Sequence, residues 1–572
     1  MNERTLGWVQ NPSSFENLKN VVSVFESSTF IYSDILNNKI PLLVKEENLK
    51  QELINELKRK PLHMKYTLLK GKGIEKGEKR KEAKCSGIIQ ATITTQKGRE
   101  YTDDWTADGF LRWAISIGLL TYDVDNDEVF ISELGKKFIN SKNKEEENKI
   151  LKEAFLSYPP AVRILNLLKD GNILTKFEIG KQLGGLGETG FTSIPQDLYI
   201  QAIETAEISE KAKIRSNTEG SADKYARMIC GWLSKVDLVQ KIEKEVLTKI
   251  GKKEYKVSIG HSFKITLEGL KELKSSKGTS SYKKIEKIVY WQMLATKGQD
   301  RDYIRNRRAT IIKAINKKPK TISEIIKALE EKDIIESEVT IRDELLVIEA
   351  IGLEVSKIKF KKEYKYNITD SIVNLKIPKN KIKKTDLLVL KDTIREKLVH
   401  LNHRYLGLID LAYDSNSDRD FEIQTIDLLV NELEFKGLRL GESRKPDGIV
   451  YYKENGVIID NKAYKDGYNL PIGQADEMIR YIEENKIRDE KINPNKWWEN
   501  FDENVKEFYY LFISSFFKGN YKKNLELISN RTGVNGGVIS VENLLYLAEK
   551  IKSEELSYSN IFKIYRNDEI NL

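Results

Sequence analysis

The chain has 572 residues, of which 40% are apolar and 32% charged, with 11 prolines and 34 glycines, so a disordered or fibrous protein is excluded. Two cysteines, Cys85 and Cys230, cannot form a disulfide framework, and four histidines are too few for a zinc-finger array. The apolar stretch from Phe508 to Phe517 is too short to span a bilayer, and the first ten residues lack the apolar core of a signal peptide, so we expect a cytoplasmic protein with no membrane partner.

Charge is distributed unevenly along the chain. The formal net charge is +9 overall, +16 over residues 1–385 and −7 over residues 386–572. Because phosphates attract Lys and Arg whatever the base sequence, the basic part is the candidate for nucleic-acid binding, and it would have to bring the acidic part to DNA. A second interpretation stays open, in which both parts are simply solvated surfaces.

Three segments of the basic part share one pattern, in which an apolar helix is followed by a turn and two short strands. These segments are 113–120 with a strand at 128–132, 232–239 with strands at 255–258 and 263–266, and 347–354 with strands at 358–360 and 364–368. Ahead of the third copy, residues 322–329 and 337–346 have helical apolar spacing, which completes a helix-turn-helix. The pattern predicts three winged helices, which can read a major groove or serve as plain protein contacts.

Two segments between these elements carry weaker signals. Gly185-Leu-Gly-Glu-Thr-Gly190 matches the G-x-G-x-x-G pattern, but a charged helical segment precedes it instead of a strand, which favours a flexible loop. Residues 376–384 carry five lysines around a proline, which is typical of a solvated linker. Beyond this linker, helices alternate with buried strands, which predicts an α/β domain.

The strongest chemical signal lies at residues 445–462 of that domain. Lys445-Pro-Asp447 precedes a run of β-branched and aromatic residues, and Asp460-Asn-Lys462 ends a second such run. The Asn455-Gly456 pair between the two runs predicts a tight hairpin. Strand alternation would then place the side chains of Asp460 and Lys462 on one face, with Asp447 at the same end of the partner strand.

These residue types suit metal-dependent hydrolysis of a phosphodiester. The carboxylates of Asp447 and Asp460, with the main-chain carbonyl of Asn461, make a hard oxygen site that suits Mg²⁺. The ion would activate a water molecule and neutralise charge on the scissile phosphate, while Lys462 would position that water or stabilise the transition state. This is the P-D…D-x-K arrangement of metal-dependent nucleases. On the pattern alone, a surface ion pair remains an alternative.

Longer motifs make the chain resemble the FokI family of type IIS restriction endonucleases. In the acidic part the motifs are SRKPDG (443–448), DNKAY (460–464), GYNLPIGQADEM (467–478), INPNKWW (492–498) and FKGNY (517–521). In the basic part they are GWVQNP (7–12), DGFLRWA (108–114), SYPPA (157–161), DKYARM (223–228) and YWQMLAT (290–296). The resemblance therefore covers essentially the whole chain.

The resemblance implies an enzyme that binds a short asymmetric site in double-stranded DNA, similar to GGATG, and cuts both strands a fixed distance downstream with Mg²⁺. It implies Asp447, Asp460 and Lys462 as the catalytic residues. Asn461 stands where the family carries Thr, and because its side chain should face away from the metal, we expect little effect. A DNA methyltransferase is the implied functional partner.

The resemblance also implies two sets of DNA-contacting residues. The first set is Gln10, Asn11, Arg80, Gln96 and Trp105, and the second is Asn217, Glu219, Lys224 and Arg227, which lie before and along a recognition helix. Arg suits guanine, Asn and Gln suit adenine, and Glu can accept a hydrogen bond from cytosine. Each of them could instead be a solvent-facing polar residue, and the loop before the helix departs from the family at Ser216 and Thr218.

Cutting both strands requires two catalytic centres or the reorientation of one. Asp476 and Arg480 are four residues apart on a predicted helix, where they could form an intrahelical pair. The resemblance instead implies a two-fold interface in which Asp476 of one chain meets Arg480 of another. A small polar interface of this kind fits a transient homodimer.

The sequence thus predicts a multidomain protein with three mainly α, winged-helix-like recognition subdomains and an α/β PD-(D/E)xK nuclease domain. The predicted ranges are 1–150 and 151–285 for two DNA-recognition subdomains, 286–372 for a third subdomain that contacts the cleavage domain, 373–385 for a linker and 386–572 for the nuclease domain. Two other functions stay open, a DNA-binding regulator with an inert nuclease domain and a structure-specific repair nuclease.

Overall fold

The computed structural model describes residues 5–74, 79, 82–95, 99–205, 208–250, 253–278, 284–379, 382–441 and 444–572. These residues form three mainly helical subdomains followed by an α/β domain, which confirms the predicted fold class. Within the described ranges, no helix combines the length and the apolar character that crossing a membrane requires.

The first subdomain is a winged helix whose main helix is Asp104–Ser116. This helix starts at Asp103, whose side chain accepts a hydrogen bond from the Thr106 N–H. Its wing pairs Leu120–Asp123 with Glu128–Ile131, and the short strand Met64–Lys65 extends the sheet. The remaining helices are Phe15–Ser23, Phe30–Asp34, Ile40–Leu43, Glu47–Leu57, Tyr66–Lys70, Ile88–Thr92 and Glu133–Ile139, with a π-helical turn at Ile35–Lys39.

The second subdomain has a longer wing than the sequence predicts. The helix Ser221–Lys235 leads into Val239–Ile250, which pairs with Lys253–Ile265, and Leu174–Thr175 adds a third strand. The strand at 239–250 escapes prediction because Lys and Glu occupy five of its twelve positions and its apolar residues do not alternate with a period of two. The remaining helices are Lys144–Leu156, Pro159–Leu168, Lys176–Gly180, Gln196–Thr205, Ile208–Asn217 and Leu267–Ser276.

The third subdomain follows the predicted pattern closely. Its helices are Arg301–Ile315, Ile322–Glu330 and Glu338–Ile351, its ribbon pairs Val355–Phe360 with Glu363–Ile368, and a 3-10 turn lies at Trp291–Leu294. Thr321 and Ser337 cap the two helices that precede the ribbon. Lys287–Ile288 and Ile372–Val373 pair in parallel and close the subdomain.

The fourth domain, which the sequence predicts to be the nuclease domain, is a six-stranded mixed sheet with helices on both faces. The strand order is Lys436–Arg439, Gly448–Tyr452, Asn455–Lys462, Glu507–Ser514, Gly536–Ser540 and Asp568–Glu569, antiparallel over the first three and parallel thereafter. One face packs through Val457 and Ile459, the other through Ile458. The helical elements are Asp386–Lys397, His403–Leu406, Gly407–Ala412, Asp418–Asp427, Leu428–Glu432, Ile472–Ile487, Trp497–Asn500, Tyr521–Thr532, Val541–Lys552, Tyr558–Ile561 and Phe562–Ile564.

The predicted hairpin exists, but its turn lies two residues earlier than expected. Lys453-Glu454 is the two-residue turn, and Lys453 adopts a left-handed φ of 54°. Asn455-Gly456 instead begins the second strand. A Cβ at Gly456 would come within 2.8 Å of the Phe501 ring, so this glycine allows close packing and does not form the turn.

The segment between the recognition part and the nuclease domain is not the solvated linker that its lysines suggest. Leu375, Ile377 and Ile382 pack against the main hydrophobic core of the recognition part. Lys376 and Lys379 between them stay exposed. Since apolar residues alternate with the lysines, the segment can bury one edge while the other edge remains in water.

The third subdomain contacts the nuclease domain through charged side chains. Asp343 lies 3.1 Å from Arg395 Nε and 2.8 Å from His403 Nδ1, and Glu336 lies 2.9 Å from Lys384 Nζ. Because Arg395 and His403 belong to the first helices of the nuclease domain, these contacts fix that domain on the recognition part.

The second subdomain contacts the nuclease domain as well. Ile423 of the helix Asp418–Asp427 belongs to a hydrophobic cluster that includes Phe177 and Ile194. The G-x-G-x-x-G segment is a loop, as predicted, and it lies in this junction. A Cβ at Gly187 would come within 2.3 Å of the Arg404 carbonyl, so the loop backbone directly touches the nuclease domain.

Candidate active site and nucleic-acid interface

Asp460 and Lys462 lie at the carboxyl end of the strand Asn455–Lys462. This strand is paired with Gly448–Tyr452 on one side and with Glu507–Ser514 on the other. Lys462 Nζ donates to Asp460 Oδ1 at 2.8 Å, and Asp460 is only 7% exposed. Residues 460–462 pair with residues 512–514 on one side, and on the other side the Asn461 N–H is held by Asp447, so this strand end has little freedom to move.

Asp447 reaches the same strand end from the neighbouring strand. It immediately precedes Gly448, and its Oδ2 accepts a hydrogen bond from the Asn461 N–H at 2.6 Å. The N–H and C=O of one strand residue point to the same side, so the Asn461 carbonyl also faces Asp447. The structure therefore brings the predicted oxygen donors together with Lys462.

The charges at this strand end do not balance. Burial, together with the charge of Asp460, raises the pKa of Asp447 to about 7. Burial also raises the pKa of Asp460, although Lys462 opposes that shift. For Lys462, burial opposes the charged form, yet the two carboxylates raise its pKa. One ammonium group cannot neutralise two buried carboxylates, and this excess of negative charge fits a hard divalent cation.

A cation held here would use few side chains. Among the described residues, no three His, Cys, Asp or Glu side chains are grouped closely enough to bind a metal ion. The donors that fit are the carboxylates of Asp447 and Asp460 and the carbonyl of Asn461, with water completing the shell. This set suits Mg²⁺, which commonly keeps several waters when a protein binds it.

Three further residues surround this strand end. Burial and the charge of Asp447 raise the pKa of Glu422. Tyr468 is 3% exposed, and its hydroxyl has no hydrogen-bond partner within the described part of the chain. Glu477 adds a negative charge that acts on Asp460. Tyr468 and Glu477 lie in the 467–478 motif that carries the family resemblance, whereas no sequence signal indicates Glu422.

The Asn461 side chain points away from the two carboxylates, as predicted. Alternation puts it on the face packed by Val457 and Ile459, where it is 5% exposed. Neither of its amide atoms finds a hydrogen-bond partner among the residues described. Such burial costs about 1–3 kcal/mol, so the departure from the family's Thr bears on stability and not on the metal site.

Arg227 on the helix Ser221–Lys235 is held by a buried carboxylate. Its Nε and Nη2 donate to the two oxygens of Glu219 at 2.9 and 3.1 Å, and Lys176 also donates to Glu219. Burial opposes ionisation of Glu219, but the hydrogen bonds from Arg227 and Lys176 lower its pKa. The Glu219 side chain is 1% exposed, whereas that of Arg227 is 30% exposed. The buried Glu219 carboxylate therefore fixes the orientation of the more exposed Arg227 guanidinium group.

The N-terminal arm lies along the same helix. The Gln10 side chain hydrogen bonds with Tyr225, and the Pro12 carbonyl accepts from Trp232 Nε1 at 2.8 Å. Asn11 between them is exposed, with a left-handed φ of 88°. The arm therefore lies on the helix that carries Lys224 and Arg227.

The remaining predicted DNA contacts are less well defined by the structure. Trp105 lies in the first turn of the helix Asp104–Ser116 and is 47% exposed. The main chain of Asn217 ends the helix Ile208–Asn217. Arg80 and Gln96 lie outside the described residues. For all of these positions the DNA contact stays a prediction.

Asp476 and Arg480 do not form the intrahelical pair that their spacing allows. Asp476 Oδ1 lies 3.2 Å from Arg531 Nη1, and both side chains are more than half exposed. Arg480 Nη2 lies 3.0 Å from Glu477 Oε1 instead, and Arg480 Nε lies 3.8 Å from Glu484 Oε1. Among the described residues, Asp476 is thus held by an exposed ion pair, which contributes little to stability.

Four family models match consecutive parts of the chain. The models described as FokI recognition domain subdomain 1, FokI recognition domain subdomain 2, FokI D3 domain and FokI cleavage domain match residues 4–141, 147–281, 294–359 and 384–571. Together they account for most of the chain.

Relatives and solved structures agree with these matches. The type II restriction enzyme FokI of Planomicrobium okeanokoites is 43% identical over 585 residues, which cover 99% of each chain. StsI of Streptococcus sanguinis, also a type II restriction enzyme, is 28% identical over 98% of this chain and 95% of its own length. The structures of FokI alone and FokI bound to DNA superpose with TM-scores of 0.91 and 0.92, at 42% identity and with complete coverage of both chains.

The pKa of Asp447 predicts how cation binding depends on pH. Near pH 7 this carboxyl is partly protonated, and a cation must displace the proton. We expect the affinity for Mn²⁺ to rise between about pH 6 and pH 8, by about tenfold per pH unit below the pKa. Calorimetric titration in two buffers of different ionisation enthalpy measures both the affinity and the proton released. Asp447→Asn should bind weakly at every pH, and a flat profile in the unmodified protein would contradict the assignment.

Proposed function

Because the chain belongs to the FokI family of type II restriction enzymes, we propose that it is a type IIS endonuclease that binds a short asymmetric site similar to GGATG and cuts both strands a fixed distance downstream with Mg²⁺. As a member of this family it is a site-specific deoxyribonuclease that acts on double-stranded DNA. The observation that carries the proposal is the convergence of Asp447, Asp460 and Lys462 at one buried strand end.

The side chains at this strand end have distinct roles in hydrolysis. When bound by Asp447, Asp460 and the Asn461 carbonyl, Mg²⁺ would supply water activation and charge neutralisation at the phosphate. Lys462 stays protonated because the two carboxylates raise its pKa, so its ammonium group adds positive charge where the phosphate becomes more negative. Asp460 orients that ammonium group through their 2.8 Å hydrogen bond. Rigid placement matters because small displacements of such groups reduce the rate strongly.

The two parts of the chain divide the work. The basic residues 1–385 attract the phosphate backbone, and the helix Ser221–Lys235 with the N-terminal arm reads bases. The acidic nuclease domain, with a net charge of −7, binds DNA poorly by itself. The third subdomain holds the nuclease domain on the recognition part through Asp343, Arg395 and His403.

A second copy of the chain completes the cut through both strands. Asp476 is exposed, and its partner Arg531 contributes little, so Asp476 is available to Arg480 of a second copy. A two-fold axis then makes the same contact twice. The host DNA would need protection by a DNA methyltransferase of matching specificity.

Removal of Asp460 should separate binding from cutting. We expect Asp460→Ala to reduce cleavage by roughly a thousandfold or more, because it removes a metal ligand and the partner of Lys462. Binding to cognate DNA should stay unchanged, since recognition lies in other domains. Asp568→Ala is the matched control, because its carboxylate also lies 2.8 Å from a lysine, Lys522, but at the sheet edge.

Plasmid digestion and gel-shift titration measure the two effects. Loss of binding in Asp460→Ala would argue against the division of labour, and undiminished cutting would refute the site. Sequencing of the digested ends of the unmodified protein checks the reaction class. A fixed offset from one short sequence is expected, whereas cuts that follow mismatches or branches would indicate a repair nuclease, and no cuts an inert domain.

Arg227 should contribute both affinity and specificity. We expect Arg227→Ala to cost about 1–3 kcal/mol of binding to cognate DNA and to relax preference at one base, because the guanidinium group that Glu219 holds is lost. Arg227→Ala also leaves the buried Glu219 with Lys176 as its one partner among the described residues. Arg227→Lys is therefore a useful second variant, because it keeps the positive charge and removes the planar guanidinium group. Competition binding against randomised sites measures both effects. Arg342→Ala, at an exposed pair with Glu338, is the control, and equal affinities in the two alanine variants would count against the role.

The two-fold contact predicts a concentration-dependent defect. Asp476→Ala should slow cutting of the second strand at low enzyme concentration while DNA binding is unchanged, because association of two nuclease domains becomes limiting. Charge exchange sharpens the test. Asp476→Arg and Arg480→Asp should each be slow alone and recover when mixed, since both contacts across the two-fold axis then pair opposite charges. Normal double-strand cutting by the single variants at low concentration would refute the interface.

A further inference from the structure

Arg480 is connected to the metal-site segment by a first chain of contacts through Glu477. Glu477 Oε1 lies 3.0 Å from Arg480 Nη2 and 3.0 Å from the Tyr481 hydroxyl. The same hydroxyl lies 2.8 Å from the main-chain carbonyl of Lys445. Lys445 is two residues before Asp447, so two side chains, Glu477 and Tyr481, link Arg480 to the start of the metal site.

A second chain of contacts leads from Arg480 to the same segment through Glu484. Arg480 Nε lies 3.8 Å from Glu484 Oε1, and Glu484 Oε2 accepts from Asn493 Nδ2 at 2.9 Å. Asn493 Nδ2 also donates to the carbonyl of Arg444 at 3.0 Å. Asn493 is fully buried and Glu484 is 3% exposed. This chain is therefore shielded from water, which strengthens its hydrogen bonds.

The two chains of contacts end on adjacent carbonyls of one constrained segment. Arg444 has a left-handed φ of 65°, and Pro446, whose ring restricts φ, separates Lys445 from Asp447. With the carbonyls of Arg444 and Lys445 held, little backbone freedom remains before Asp447. The position of the Asp447 carboxylate therefore depends on these two anchors as well as on its own bond to the Asn461 N–H.

We propose that Glu477, Tyr481, Glu484 and Asn493 are positioning residues that couple Arg480 to the metal ligand Asp447. The inference rests on the proposed function, in which Arg480 meets Asp476 of a second copy and Asp447 holds a divalent cation. The consequence is that contact at the two-fold interface sets the geometry of the metal site. A chain that meets a partner would thus bind its catalytic cation in the productive arrangement.

The junction between Arg480 and Glu484 is the place where this coupling acts. Arg480 Nε and Glu484 Oε1 are both buried, and within the described ranges neither has a hydrogen-bond partner, although they are 3.8 Å apart. Buried donors and acceptors are normally paired, so it is unfavourable to leave these two oppositely charged atoms without a hydrogen bond. A shift of Arg480 by less than about 1 Å would close it to a normal hydrogen-bond length.

The test measures cation binding by the full-length protein in the absence of DNA, at a dilution where sedimentation shows a monomer. Mn²⁺ alone is the probe, and calorimetry gives its dissociation constant. Tyr481→Phe removes the hydroxyl group of the first chain of contacts, and Arg480→Ala removes the side chain from which both chains of contacts start. We expect Mn²⁺ affinity to fall about two- to tenfold in each, the amount that loss of a buried hydrogen bond implies. High Mn²⁺ should restore cleavage by Tyr481→Phe.

Matched controls exclude a general loss of structure. Tyr558→Phe removes a hydroxyl that donates to the Leu433 carbonyl at 2.8 Å in the same domain, the same type of bond away from this segment. Arg531→Ala removes the arginine that pairs with Asp476 and leaves both chains of contacts intact. Both controls should bind Mn²⁺ as the unmodified protein does. Should Tyr481→Phe fail to fold, Glu484→Gln replaces it, because it keeps the shape of a residue in the second chain of contacts and removes its charge.

The outcomes separate this inference from the proposed function. Unmodified Mn²⁺ affinity in both Tyr481→Phe and Arg480→Ala overturns the coupling, and so does an equal loss of affinity in the two controls. Weakened binding confined to Tyr481→Phe and Arg480→Ala supports it. Failure of the proposed function would appear elsewhere, as absent Mn²⁺ binding in the unmodified protein or as normal cutting by the Asp476 variants.

Discussion

Two carboxylates and one lysine from neighbouring strands meet at one buried end of the sheet, and the proposed chemistry depends on how their charges are balanced. Asp447 and Asp460 repel each other in a site from which water is largely removed, and Lys462 compensates only one of them. Strands on both sides prevent the groups from relaxing apart. The site therefore carries more negative charge than Lys462 neutralises, and a divalent cation would balance that excess.

The same principle, buried charge held by neighbouring charge, joins the domains. Arg307 and Arg308 are 2% exposed and meet Glu344, whose pKa is lowered to about 2 by these arginines against the effect of burial. Arg308 also pairs with Glu188 in the glycine-rich loop of the second subdomain. Removing one partner from such a network leaves a charge uncompensated in the interior, so the network favours one arrangement of the domains over looser ones.

Several features escaped prediction for one shared reason, which is that their partners are distant in the sequence. Gly456 looks like a turn residue until Phe501 is packed against it. The lysine content of the segment after residue 373 indicates a solvated linker, yet Leu375 and Ile377 pack against the hydrophobic core of the recognition part. The spacing of Arg480 allows an intrahelical pair with Asp476, and it does not indicate the contacts that Arg480 makes with Glu477 and Glu484. Local spacing shows which residues can meet, and competition among all possible partners decides which of them do.

The sequence by itself determined the type of the domains and the three helix-and-ribbon units, and it indicated the residues proposed to carry the chemistry, because periodicity, capping residues and the P-D…D-x-K spacing act over short ranges of chain. It also indicated the family, since long motifs recur from residue 7 to residue 521. Only the tertiary structure decided which charges are buried together. The raised pKa of Asp447, the support of Arg227 by Glu219 and the two contact chains from Arg480 all depend on distances between segments and on the exclusion of water, and neither quantity is encoded in local spacing.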